Sequence, residues 1–176
     1  MRIAVFVDGA NLFYAERDRL GWRVDLQKLL EWIASRGTVT DAMYYTGVIE
    51  PVEVRFAAFL HALPHLGFSV VTKPAKALVH HSGETSFKAN LDVEIVLDMF
   101  TMLEAFDMAV LVSGDGDFRR PLELLRTRGK QFLVISTAGT MARELREIAG
   151  RHFVDLRDIR GSVEQTRTEA ALPRAS

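Results

Sequence analysis

Apolar residues gather in short unbroken runs, separated by longer stretches in which apolar positions recur at helical spacing. Ile3-Ala4-Val5-Phe6-Val7 runs into Asp8-Gly9. Val39 to Thr46 carries Met43, Tyr44 and Tyr45, and Phe68 to Thr72 follows Gly67. Met108 to Ser113 leads into Gly114-Asp115-Gly116-Asp117, and Gln131 to Ile135 follows Gly129. Runs of this kind, with β-branched and aromatic content and little alternation, predict strands covered on both faces. The spacing between them predicts helices over Ala10 to Leu20, from Leu26 toward Gly37 with Asp25 as cap, and over Val52 to Leu66 after Pro51. Three more are predicted: Leu91 to Ala105, capped by Asn90 or Asp92; a helix running to Arg128, capped by Asp117 with Pro121 in its first turn; and Thr140 to Ile148. The Leu91 to Ala105 helix has the densest apolar pattern and is expected to be largely buried. Residues 74 to 88 follow neither period, and their lysines and His80-His81 around Ser82-Gly83 suggest a loop or short hairpin. Strands alternating with helices of this length predict an α/β fold, a parallel sheet with helices on both faces.

Composition narrows the picture. With 176 residues, 48% of them hydrophobic, the chain can build one sizeable core, and no repeat or composition break divides it. A net charge of −1 means that any contact with a polyanion must come from local basic patches. There is no cysteine, which excludes disulfides and thiolate metal sites and fits a reducing compartment. The apolar start is cut by Asp8 and no apolar run approaches about 20 residues. A soluble, cytoplasmic protein without membrane contact is expected.

The candidate chemistry is carboxylate chemistry. Asp8 ends the first strand, Asp115 and Asp117 follow the run 108 to 113, and Asp92 opens the helix before that run. In a doubly wound sheet these two strands are commonly neighbours, so the acids can converge at the carboxyl edge, where α/β folds bind ligands. Carboxylates brought together repel unless a cation lies between them. Magnesium or manganese, which prefer oxygen ligands and keep several waters, are the expected ions. Each acid taken alone also reads as an ordinary turn or helix cap. Asp98 lies about 240° around the helix from Asp92, so it reads either as a second acid of the site or as a paired polar residue on a half-buried face. Asn11 reads as a neutral group in the same cleft or as a helix-start cap. Lys73, Lys76 and Lys88, with Arg119 and Arg120 after the acidic loop, can meet a phosphate backbone or simply be solvated.

Other motifs fail on inspection. The acidic loop lacks the later ligands of a calcium loop, and no third glycine or lysine-bearing loop supports a nucleotide fold. His80-His81 lacks metal-motif spacing, and there is no nucleophile set for serine chemistry. An aspartyl-phosphate enzyme would want a second aspartate two residues after Asp8, where Ala10 stands.

Three segments carry a family pattern. Phe6-Val7-Asp8-Gly9-Ala10-Asn11-Leu12-Phe13, Lys88-Ala89-Asn90-Leu91-Asp92-Val93-Glu94-Ile95-Val96-Leu97-Asp98-Met99 and Leu111-Val112-Ser113-Gly114-Asp115-Gly116-Asp117-Phe118 resemble, in order, the NYN domain family of PIN-like ribonucleases. The resemblance implies a Rossmann-like α/β/α sandwich with a mainly parallel sheet of about five to six strands over residues 1–156; from about Arg157 the chain turns charged and loses its period, so 157–176 is expected to be a flexible tail. It also implies metal-dependent cleavage of RNA. By motif, Asp8, Asp92, Asp115 and Asp117 look like the catalytic acids and the magnesium or manganese ligands. Asn11, Ser113 and Asp98 look like supporting residues, and Lys73, Lys76, Lys88 and Arg119 are the expected substrate contacts. The leading expectation is a ribonuclease that hydrolyses phosphodiesters with a metal-activated water, its partner RNA, with other nucleic acid left open. The alternative is a noncatalytic nucleic-acid-binding or regulatory domain that holds a metal in the same pocket. A homodimer, which would double a shallow basic surface, is carried as a further expectation.

Overall fold

The first strand, β1 (Arg2–Asp8), is buried from Ile3 to Val7, as an unbroken apolar run requires. The computed structural model describes residues 1–79 and 85–166. After β1 come α1 (Gly9–Ala15), α2 (Leu26–Ala34), β2 (Thr38–Val48), α3 (Val54–Ala62) and β3 (Ser69–Pro74). A hairpin of β4 (Lys76–Val79) and β5 (Thr85–Lys88) leads to α4 (Asp92–Thr101), β6 (Met108–Val112) and α5 (Arg119–Thr127). The chain then passes through β7 (Gln131–Ser136), α6 (Arg143–Ala149), β8 (Phe153–Asp155) and α7 (Arg160–Val163). Six strands form one sheet in the order β3-β2-β1-β6-β7-β8, every neighbouring pair parallel.

Alternate residues of β1 serve opposite layers. Ile3, Val5 and Val7 join Leu12 of α1, Leu29 and Ile33 of α2 and Val163 of α7. Ala4 and Phe6 join Ile95 and Met99 of α4, Leu122 and Leu125 of α5 and Leu145 of α6. The sequence pattern for an α/β sandwich with a parallel sheet is therefore met, and β1 lies beside β6.

Several local expectations are refined. Within the segment 74 to 88, Lys76–Val79 and Thr85–Lys88 pair antiparallel as β4 and β5, while His80 and His81 lie outside the described residues. Asp25 caps α2 by accepting from the backbone N–H groups of Gln27 and Lys28. The helix expected from Val52 begins at Val54. The cap assigned to Asp117 is made by Asp115, whose carboxylate accepts from the Asp117 N–H at 3.0 Å and starts a short 3₁₀ turn, Gly116–Phe118, ahead of α5. The helix expected to reach Ala105 ends at Thr101. It is also less buried than its pattern implies, because Val93 is 63% exposed and Leu97 60%. In the segment expected as a tail, Val163 is fully buried and Glu164 bridges to Val24, while residues 167–176 lie outside the described residues. Among the described residues no helix is long and apolar enough to cross a membrane.

Candidate active site at the carboxyl edge of the sheet

Parallel pairing sets Val7 opposite Val112, so the next residues, Asp8 and Ser113, leave the sheet side by side. The Ser113 hydroxyl donates to Asp8 Oδ2 at 3.0 Å, and the Asn11 backbone N–H donates to Asp8 Oδ1 at 3.0 Å. Asp8 is thereby the N-cap of α1 as well as a candidate acid. Asn11 ties the two strand ends together, its Oδ1 accepting from the Gly114 N–H at 2.8 Å. The Ser113 Oγ also accepts from the Asp115 N–H at 3.2 Å. The motif glycines are set by crowding. A Cβ on Gly9 would stand 2.7 Å from the Tyr44 ring and the Tyr45 carbonyl, and one on Gly114 2.8 Å from the Ser136 Oγ.

Burial pushes the half-buried Asp8 carboxyl above its ordinary value. The hydrogen bonds from Asn11 and Ser113 oppose that rise, and the charges of Asp92 and Asp115 add to it. Three of the four expected acids are thus electrostatically coupled. Asp92 and the exposed Asp117 line an open cleft of about 500 Å³ with Lys73, Asn90, Val93, Val96 and Leu97. Among the described residues no three Asp, Glu, His or Cys side chains gather tightly enough to hold an ion. A closed structural cage is therefore not formed. The donors are nonetheless all hard oxygens, and the mutual repulsion at Asp8 is the kind a cation relieves. They fit magnesium or manganese, which are commonly held by one or two carboxylates with water in the remaining positions.

The other expected residues sit as follows. Asp98 accepts from the Tyr45 hydroxyl at 2.9 Å, a pairing of the kind its polar-partner reading expects. Burial first, and then Asp98, push the Tyr45 hydroxyl far above its usual range. Lys73 lines the cleft, but its ammonium is engaged, donating to Glu94 Oε1 at 2.7 Å and to the Asn90 carbonyl at 3.1 Å. Arg119 and Arg120 both pair with Glu123 on the surface of α5. Lys76 is exposed at the start of β4, opposite Lys88 in the backbone register of the hairpin. Tyr45 was not singled out by sequence, and Glu94, which the sequence offers as a solvated face residue, is ion-paired with Lys73. Tyr45 stands opposite Asp8 in the parallel register, but that register is invisible in the chain itself.

The family model of the NYN domain matches residues 2–157. Over 169 residues the chain is 43% identical to the low amplitude and bright protein LabA of Synechococcus elongatus, covering 94% of this chain and 89% of that protein. Among solved structures it is similar to a protein of unknown function from Vibrio parahaemolyticus, with a TM-score of 0.76 and 28% identity. That match covers 93% of this chain and 96% of the other.

Proposed function

The chain belongs to the NYN domain family, and from that premise we propose that it is a metal-dependent ribonuclease whose chemistry takes place at the acidic carboxyl edge. Membership in this branch of the PIN-like nuclease superfamily suggests nucleic-acid binding or nuclease activity. The observation that carries the reading further is the paired strand end, where Asp8 is fixed by Asn11 and Ser113 and feels the charges of Asp92 and Asp115.

The residues divide the work. Asp8 is held in one orientation by bonds to both of its oxygens, which lowers the reorganisation needed when charge develops nearby. Asp115 is fixed through Oδ1 by the Asp117 N–H. Asp92 and Asp117 face the cleft through which a strand would approach. A magnesium or manganese ion bound by these carboxylates would supply an acidified water and charge neutralisation at the phosphate. In the overall reaction the water oxygen bonds to phosphorus, one phosphorus–oxygen ester bond breaks, and the leaving oxygen takes up a proton.

Cleavage of a labelled RNA pool with magnesium or manganese tests this, run beside Asp115→Asn and a chelator control. Wild type is expected to cleave, with activity falling by at least about 100-fold in both controls, while the variant keeps its melting temperature. An inert wild type would favour a noncatalytic nucleic-acid-binding domain, and an equally active variant would take Asp115 out of the chemistry.

A further inference from the structure

We infer that Ser136 is a positioning residue of the acidic edge: its buried hydroxyl lacks a partner in this arrangement of the acidic loop and gains one when the loop closes on a bound cation. This rests on the reading above that the edge takes a divalent ion. Parallel pairing sets one polar residue from each of five neighbouring strands in a row along the carboxyl edge, Tyr45, Asp8, Ser113, Ser136 and Asp155. Four of these side chains are engaged. Tyr45 donates to Asp98, Ser113 donates to Asp8 and accepts from the Asp115 N–H, and Asp155 accepts from the Ala138 and Arg157 N–H groups. Ser136 stands between two of them, is only 3% exposed, and its Oγ meets no hydrogen-bond partner.

A buried donor without a partner is destabilising, so a hydroxyl kept in such a place calls for a physical reason. Water does not serve it, because the void lined by Asn11, Ser113, Ser136 and Leu156 is too small to admit a water molecule. What the hydroxyl faces is the acidic loop. A Cβ on Gly114 would stand 2.8 Å from Ser136 Oγ and 3.1 Å from the Thr140 carbonyl oxygen, so donor and acceptor flank one small space that only a glycine leaves open. Asp8 is fixed at its strand end, whereas Asp117 is exposed in the open cleft. For both to serve one ion, the loop has to close toward β1, and Gly114, its first residue, shifts against Ser136. The hydroxyl then takes the Thr140 carbonyl as acceptor, and burial that destabilises the open loop favours the closed one. Ser136 touches neither ion nor substrate and acts through the loop alone.

Ser136→Ala separates the two arrangements. Thermal unfolding without metal reads the open loop, and calorimetric titration with manganese chloride reads the closed one. Without metal the variant is expected to melt no lower than wild type, since a hydroxyl without a partner contributes no stability there. Its manganese affinity should fall about fivefold, as for one lost hydrogen bond. A serine that merely packs gives the opposite pair, a lower melting temperature and an unaltered affinity, and either half of that result would overturn the inference. A wild type that binds no manganese would sink the metal reading and this inference with it. A wild type that binds, beside a variant that binds equally well, would sink this inference alone.

Discussion

Ser113 bridges two acids, donating to Asp8 and accepting from the Asp115 N–H, and its loss should be felt as a change in proton affinity. A hydroxyl hydrogen-bonded to a carboxylate favours the charged form. Ser113→Ala should therefore raise an Asp8 carboxyl that burial has already pushed up. Activity that needs ionised Asp8 is lost as pH falls through that group's pKa, so raising the pKa moves the acid limb of the rate profile to higher pH. The expected displacement is about one pH unit, equivalent to about 1.4 kcal/mol, with activity recovered at alkaline pH. A rate–pH profile that merely drops without moving would assign Ser113 a packing role alone. At this scale Asp8, Ser113 and Asp115 were legible because they stand at or just past strand ends, where chain direction alone brings them together, and Asn11 because it follows Asp8 within one helical turn. The pairing of Asp98 with Tyr45 and of Lys73 with Glu94 was not, because each depends on how α4 settles across the sheet.

Among the elements, β8 shows how a short, weakly patterned segment is secured. Asp155 ends it, accepting from the Ala138 N–H at 2.9 Å and from the Arg157 N–H and guanidinium at 2.7 to 3.1 Å. The Arg157 guanidinium in particular holds its carboxyl well below the usual range, at about 2. A depressed folded-state value contributes stability that is present above the ordinary carboxyl pKa of about 4 and is lost as pH falls toward 2. Asp155→Asn is expected to cost about 1 to 2 kcal/mol at neutral pH and to flatten the dependence of the urea midpoint on pH below about 4. An unchanged midpoint at neutral pH would show that these bonds merely replace equivalent ones to water. Beyond this anchor the chain returns to α2 through α7, where the Asp25 N–H donates to the Val163 carbonyl at 2.8 Å. Sequence reading took residues from Arg157 onward as a loose tail because Ile159 and Val163 are too few among charges to show a period. The long strands and α2 were legible for the opposite reason, with full apolar runs and an aspartate cap.

For the molecule as a whole, balanced charge limits how strongly phosphate can be held. The net charge is −1, and Lys73, Arg119 and Arg120 are all engaged by neighbouring glutamates. RNA affinity should accordingly fall gently with salt, with a logarithmic slope shallower than about −3, as for a protein neutralising only a few phosphates. Titration across salt concentrations would check this, and a steep slope would mean that the basic residues leave their partners on binding. The parallel α/β sandwich was legible from alternating apolar runs and helical stretches, whereas the exposure of Val93 and Leu97 was not, since a helix apolar on most sides reads as buried. The strand order has one more consequence. Asp8 and the hydroxyl that orients it lie 105 residues apart in the chain. During synthesis the acid leaves the ribosome long before β6 exists, so the edge can be assembled only once most of the chain has emerged. A chain interrupted before that point would carry Asp8 and Asn11 without Ser113 and Gly114, their partners across the strand ends.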